Sequence, residues 1–208
     1  MSFTVPRVYP ITDTKLSGLL HVEQVRQLIE GGATLIQLRE KDLNPREFYR
    51  EAEVALKLAR THGVRLIIND RVDIALALKA DGTHLGQADL PPAEARTILG
   101  DEAIIGFSTH NIEQARAAST LPVDYLAVGP IFSTASKKAP DPVVGLSGLR
   151  DIRAVIDRLP IVAIGGITLA NASEVLAAGA DSVAMISGML VNGNTASRMR
   201  ESLRIWKK

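Results

Sequence analysis

Eight short apolar runs recur along the chain, and each is followed by a stretch with a different, helical spacing of apolar residues. The runs are Val8–Asp13, Leu35–Glu40, Arg65–Asp70, Gly82–Gly86, Ala103–Thr109, Tyr125–Pro130, Ile161–Ile167 and Ser182–Met189. Several are almost continuously apolar, as expected of parallel strands whose outer face is covered. Between them apolar residues fall at i, i+3, i+4 and i+7. Phe48–Thr61 shows this most plainly, with Ala52, Leu56 and Ala59 on one stripe. Gly63 reads as the stop of that helix, and Gly31-Gly32 and Gly179 read as stops of others. Strand–helix alternation repeated eight times predicts an α/β fold whose parallel sheet closes into a (β/α)₈ TIM barrel, a single domain over residues 1–208. The alternative is an open, doubly wound sheet. It would use fewer units and usually a Gly-x-Gly-x-x-Gly turn after the first strand, which Ile11-Thr12-Asp13-Thr14 is not.

At 208 residues the chain is near the lower limit of about 200 for such a barrel, so its connections must be brief. One is not: Ile131–Leu146, rich in Ser, Thr, Lys and Pro, has the length typical of a lid or binding loop. Composition narrows the function classes. Aromatics are only 4%, which leaves Val, Ile, Leu and Ala to fill the interior, and the net charge of +1 comes without any basic run. Extended nucleic-acid binding and a membrane-surface role therefore lack electrostatic support. With no cysteine, thiolate nucleophiles and cysteine-ligated metals are excluded. The N-terminus lacks the apolar segment of a signal peptide, and no apolar stretch is long enough for a membrane span. A cytoplasmic protein is expected.

Active sites of these barrels form at the C-terminal ends of the strands, so polar residues there are the candidates for chemistry. In Gln37-Leu38-Arg39-Glu40-Lys41, strict alternation puts Gln37, Arg39 and Lys41 on one side of the pleat. Two cations facing a barrel mouth call for an anion; the alternative is a solvated rim pairing with Glu40 and Asp42. Asp70 and Asp89 end neighbouring strands and together suit Mg²⁺, which takes a few carboxylates plus waters and phosphates. Taken alone, each reads as a cap of the helix that follows it; it is as a pair beside Arg39 and Lys41 that they point to Mg²⁺ and a diphosphate. Ser108 is placed to donate to a phosphate oxygen. His84, a lone histidine within a strand, reads as a packed, hydrogen-bonded residue, and His110 is a similarly weak signal. Gly165-Gly166 and Ser187-Gly188 close the last two strands, where barrels commonly grip phosphate through backbone amides. A glycine pair can also simply make a tight turn. Thr134, Ser136 and Lys137 on the long loop add hydroxyls and a cation.

Seven pieces, in order and each at a strand end, resemble the thiamine-phosphate synthase family. They are Tyr9-Pro10-Ile11-Thr12-Asp13, Gln37-Leu38-Arg39-Glu40-Lys41, Ile68-Asn69-Asp70, His84-Leu85-Gly86-Gln87-Ala88-Asp89-Leu90, Ile105-Gly106-Phe107-Ser108-Thr109-His110, Gly129-Pro130-Ile131-Phe132 and Ala163-Ile164-Gly165-Gly166-Ile167. The resemblance implies a transferase of thiamine biosynthesis. It would join 4-amino-5-hydroxymethyl-2-methylpyrimidine diphosphate to 4-methyl-5-(2-hydroxyethyl)thiazole phosphate and release diphosphate. It also implies Mg²⁺ as cofactor, held by Asp70 and Asp89. The run Gln37, Leu38, Arg39, Glu40 and Lys41, with Asn69, Ser108 and Lys137, would surround the pyrimidine and its diphosphate. Thr134, Ser136, Gly166, Ile186 and Ser187 would cradle the thiazole phosphate. Arg39, Lys41, Ser108 and Lys137 would be the catalytic members. One departure is visible: Ser133 stands where the family commonly carries proline, which changes the stiffness of the loop. Two other readings share parts of the pattern. A related barrel that isomerises the thiazole or acts as a regulator would be expected to lose part of the cation-and-metal cluster, which here is intact. A barrel isomerase or lyase of amino-acid synthesis would share the glycine grip without needing the metal pair. Small-molecule substrates are the expected partners, and homo-oligomerisation is left open by the sequence.

Overall fold

In the computed structural model, which describes residues 3–134, 141–191 and 193–206, eight parallel strands close into a barrel in sequence order, β1 pairing with β8. They are β1 (Val8–Thr12), β2 (Leu35–Leu38), β3 (Arg65–Asn69), β4 (Gly82–Leu85), β5 (Ile104–Thr109), β6 (Tyr125–Val128), β7 (Ile161–Ala163) and β8 (Ser182–Met185). Around them lie α1 (Thr14–Ser17), α2 (His21–Glu30), α3 (Pro45–Thr61), α4 (Val72–Leu78), α5 (Pro92–Leu99), α6 (Ile112–Ala118), α7 (Gly145–Val155), α8 (Ala172–Ala177), α9 (Ser187–Leu190) and α10 (Thr195–Ile205). This is the (β/α)₈ barrel expected from the alternation. The strands stop earlier than the apolar runs suggest, most clearly β7 and β8, because the last residues of those runs leave the ladder to form the mouth. Helix α3 starts before its apolar stripe does, since Asn44 caps the Arg46 and Glu47 amides and Pro45 sets the first turn. Among the described residues no helix is long and apolar enough to cross a membrane.

Alternation along each strand divides the core in two. Side chains such as Ile36, Leu38, Ile68 and Val183 pack outward against the helices, while Tyr9, Leu35, Ile67, Tyr125 and Val162 fill the barrel. Tyr125 fits inside because its neighbour in β5 is glycine: a Cβ on Gly106 would lie 2.1 Å from the Tyr125 ring. The base of the barrel is tied by a repeated device. Asp81, Asp124 and Asp181 each precede a strand, and each carboxylate accepts the amide of a residue in the strand before it. The partners are Leu66 at 2.8 Å, Ile105 at 2.7 Å and Ile161 at 2.8 Å. Arg96 from α5 and Arg153 from α7 close over two of these acids, at 2.8 Å from Asp124 and 3.0 Å from Asp181.

Candidate active site

A cavity of about 600 Å³ opens at the C-terminal ends of the strands, and most of the residues singled out in the sequence line it. Its β1–β4 side carries the charges. Asp13, just past β1, uses one carboxylate oxygen to cap the Leu16 amide at 2.9 Å and the other to bind Arg39 at 2.5 Å. Lys41 pairs with Asp70. The two cations are thus held by acids from neighbouring strand ends, not by Glu40 and Asp42 as a solvated rim would have it. Asp70 sits in the left-handed region at φ 61°, a conformation that Asp and Asn tolerate better than other side-chain-bearing residues, and its amide donates to the His84 carbonyl at 2.8 Å. Asp89 accepts the Gly86 amide at 2.7 Å. Neither acid caps the following helix, whose N-cap positions are Arg71 and Pro91. Burial pushes the Asp89 carboxyl up, and the adjacent Asp70 carboxylate adds to the rise against the opposing Gly86 amide and Lys41.

A carboxyl raised by burial and by a second carboxylate beside it marks a pair that a cation would suit. Among the described residues no group of three or more His, Cys, Asp or Glu side chains is arranged to hold a metal ion. A metal here would therefore draw its remaining ligands from water and substrate oxygens. Hard oxygen donors, few in number, fit Mg²⁺. Asn69 lines the cavity beside them.

Behind the cations lies a support that the sequence did not reveal. One oxygen of Glu40 accepts three successive amides, Lys41 at 2.8 Å, Asp42 at 2.7 Å and Leu43 at 3.2 Å; the other accepts the Thr14 hydroxyl at 2.7 Å. His21 lies 3.3 Å from the same carboxylate, and its other ring nitrogen is 2.7 Å from the Thr12 hydroxyl. Burial would raise the Glu40 carboxyl, but the amides and the hydroxyl overcome it and hold it at about 2. Burial lowers His21, outweighing the neighbouring acids. Glu40, expected to touch substrate, lines the cavity and also fixes the loop that carries Lys41; its side chain is only 3% exposed. Leu38, expected in the same run, points outward into the helix-facing core and does not line the cavity, because the alternation that turns Gln37 and Arg39 inward turns Leu38 away.

The floor of the cavity is a second network. Gln37 binds the Tyr9 hydroxyl at 3.2 Å, Tyr9 the Tyr125 hydroxyl at 3.1 Å, Tyr125 one ring nitrogen of His84 at 3.0 Å, and the other nitrogen the Ser108 hydroxyl at 2.9 Å. His84 is indeed packed and hydrogen-bonded, stacking on Tyr125, yet it also lines the cavity. The signal available in the sequence was that Tyr9 and Tyr125, two of only three tyrosines, fall on inward-facing strand positions.

Across the barrel, the β6–β8 side is built from backbone. Gly165 and Gly166 have φ of 101° and 64°, and a Cβ on Gly166 would lie 2.6 Å from the Ser133 carbonyl oxygen. Gly166, Ile186, Ser187 and Thr134 line the cavity here. Gly188 does not; it packs against the Ile167 carbonyl, where a Cβ would approach to 2.5 Å. Ser136 and Lys137 fall outside the described residues. On the flanks of their loop, His110 binds the Gly129 carbonyl at 2.6 Å and pairs with Asp141 at 3.5 Å.

Comparison with known proteins agrees with this geometry. The family model for thiamine monophosphate synthase matches residues 8–189. A thiamine-phosphate synthase of Clostridium novyi is 46% identical over 89% of this chain and 91% of its own. Another from Moorella thermoacetica is 47% identical over 93% of this chain and 92% of its own. The solved thiamine phosphate pyrophosphorylase of Pyrococcus furiosus superposes with a TM-score of 0.86 at 39% identity, covering 96% of this chain and 94% of that one.

Proposed function

The chain belongs to the thiamine monophosphate synthase family, and from that premise we infer that it joins 4-amino-5-hydroxymethyl-2-methylpyrimidine diphosphate to 4-methyl-5-(2-hydroxyethyl)thiazole phosphate. The products are thiamine phosphate and diphosphate. The observation that carries this reading is one cavity with two anion-binding walls of different construction. Arg39, Lys41, Asp70 and Asp89 line one; Gly166, Ile186 and Ser187 line the other.

The pyrimidine amino group can feed electrons toward its methylene carbon, so that the C–O bond to diphosphate breaks before the thiazole nitrogen forms the new C–N bond. Such a path needs no protein nucleophile, in keeping with a chain that has no cysteine. What it needs is stabilisation of the leaving diphosphate and orientation of the second heterocycle. Arg39 and Lys41 offer fixed positive charge to the diphosphate, and Ser108 offers a hydroxyl. Asp70 and Asp89 would hold Mg²⁺, which when bound supplies further neutralisation of the departing charge. The amides around Gly166 and the Ser187 hydroxyl take the thiazole phosphate, so that its ring nitrogen faces the methylene. This reading places the protein in the cytoplasm, acting on small molecules, with neither nucleic acid nor membrane as partner.

The test is direct. Protein, Mg²⁺ and both heterocycles should yield thiamine phosphate and an equal amount of diphosphate. Isomerised thiazole with no thiamine phosphate would overturn the assignment.

A further inference from the structure

The network under the cavity floor has a direction, and the direction follows from what each group can donate. The amide nitrogen of Gln37 only donates, so Tyr9 accepts from it at 3.2 Å. Tyr9 is 1% exposed, and the acceptor for its own proton is the Tyr125 oxygen at 3.1 Å. Buried hydroxyl protons are rarely left without an acceptor, which fixes this bond as Tyr9 to Tyr125. Tyr125, fully buried, must then pass its proton to the nearer ring nitrogen of His84, Nδ1, at 3.0 Å. A neutral imidazole that accepts at Nδ1 carries its proton at Nε2. That nitrogen lies 2.9 Å from the Ser108 oxygen, so it donates to Ser108. Burial pushes both tyrosine hydroxyls up, so neither ionises at ordinary pH to reverse the order.

We propose that Tyr9, Tyr125 and His84 are positioning residues, a proton-ordered chain that presents the Ser108 hydroxyl to the cavity as a hydrogen-bond donor. With its oxygen already accepting from His84, Ser108 has its proton left to give, and it selects an acceptor: an anionic oxygen of the bound substrate. The alternative polarity, with Nδ1 protonated, would leave Ser108 donating to His84 and accepting from the cavity, which disfavours a phosphate oxygen. The consequence for turnover rests on the synthase reading given above; the order of the chain does not.

Nitrogen-15 NMR of the histidine side chains, on the protein alone at neutral pH, reads that order without any substrate. His84 should show an unprotonated Nδ1 and a protonated Nε2. Tyr125→Phe keeps the ring under Gly106 and removes the hydroxyl, so His84 should become a mixture of tautomers. In the synthase assay the same variant should lose about tenfold in kcat/KM for the pyrimidine diphosphate, with the thiazole phosphate KM unchanged. Ser108→Ala should lose a similar factor, and the double variant should lose no more than either alone, since both remove one donor. A protonated Nδ1 in the unaltered protein overturns the proposal. So does a Tyr125→Phe variant whose His84 tautomer is unchanged, or losses that multiply in the double variant. Should Tyr125→Phe fail to fold, the tautomer of the unaltered protein still decides the question.

Discussion

Aspartates at the base of the barrel and aspartates at its mouth have the same side chain and opposite surroundings. At the base, Asp124 and Asp181 each accept a strand amide and are closed over by an arginine from a helix. Each of these acids joins two elements through one carboxylate oxygen, Oδ2, which accepts both the strand amide and the arginine. At the mouth, Asp70 and Asp89 face one another across neighbouring strand ends beside Lys41, and on the function proposed above a cation would balance the remaining charge. The base acids stabilise the fold by finding partners within it. On the proposed function, the mouth acids would leave part of their charge for a ligand to answer. The comparison teaches that burial alone does not separate a structural acid from a functional one; the identity of the partner does.

The largest effect expected from this contrast is on turnover. Asp70→Asn keeps a residue tolerant of the left-handed backbone at φ 61°, so the fold should hold. It removes one of the two negative charges that suit Mg²⁺. Turnover should fall on the order of 10²–10³-fold, the range for losing one preorganised electrostatic group, with the melting temperature little changed. Initial rates measured against Mg²⁺ concentration check this. Full activity at limiting Mg²⁺ would erase the distinction between the two ends of the barrel.

How much of this could be read beforehand depends on whether a feature is local. The eight strands were legible because each is a short apolar run, and the barrel because the runs alternate with helical stretches. Gln37, Arg39 and Lys41 were legible from alternation alone, which is a property of neighbouring residues. The ends of β7 and β8 were not, since Ile164 and Ile167, and Ile186 and Met189, keep the apolar character of the runs while the backbone leaves the ladder at Gly165-Gly166 and at the single turn of α9. The roles of Glu40 and Asp13 were hidden because the partners that bury Glu40 and engage Asp13 across the mouth are remote, although Glu40 also accepts three adjacent amides. Glu40 meets His21, 19 residues away, and Asp13 meets Arg39, 26 residues away. Leu38 was grouped with its neighbours by motif, although the same alternation that placed them turns it outward.

Glu40 sharpens the comparison, because it lies at the mouth but is bound as the base acids are. A carboxyl held at about 2 instead of its ordinary 4.5 stabilises the fold by on the order of 2–3 kcal/mol wherever it is ionised. The sign is that of a depressed acid: the contribution is complete above about pH 4.5 and fades as pH falls toward 2. Glu40→Gln should therefore be less stable than the unaltered protein at neutral pH, and the gap should close in acid. Denaturant unfolding at several pH values measures it. A gap independent of pH would place Glu40 with the mouth acids after all.

The smallest effect expected is at the base, and it runs opposite to the first. In Asp124→Ala the Ile105 amide, in a residue with no exposed surface, loses its acceptor, and Arg96 loses its carboxylate partner at 2.8 Å while keeping its carbonyl contacts. An unpaired buried amide typically costs about 1–3 kcal/mol. The Asp124 side chain is 29% exposed, so water can reach part of the space it leaves, and about 1–2 kcal/mol is expected. The same change at Asp181 should cost somewhat less, since its Ile161 amide is equally buried but its side chain is 49% exposed and water reaches the gap more easily. Neither acid lines the cavity, so kcat/KM for both substrates should stay as it is. Unfolding midpoints and steady-state kinetics on the two variants check this together. A loss of turnover in either, with stability intact, would mean that the two ends of the barrel are not separate in function.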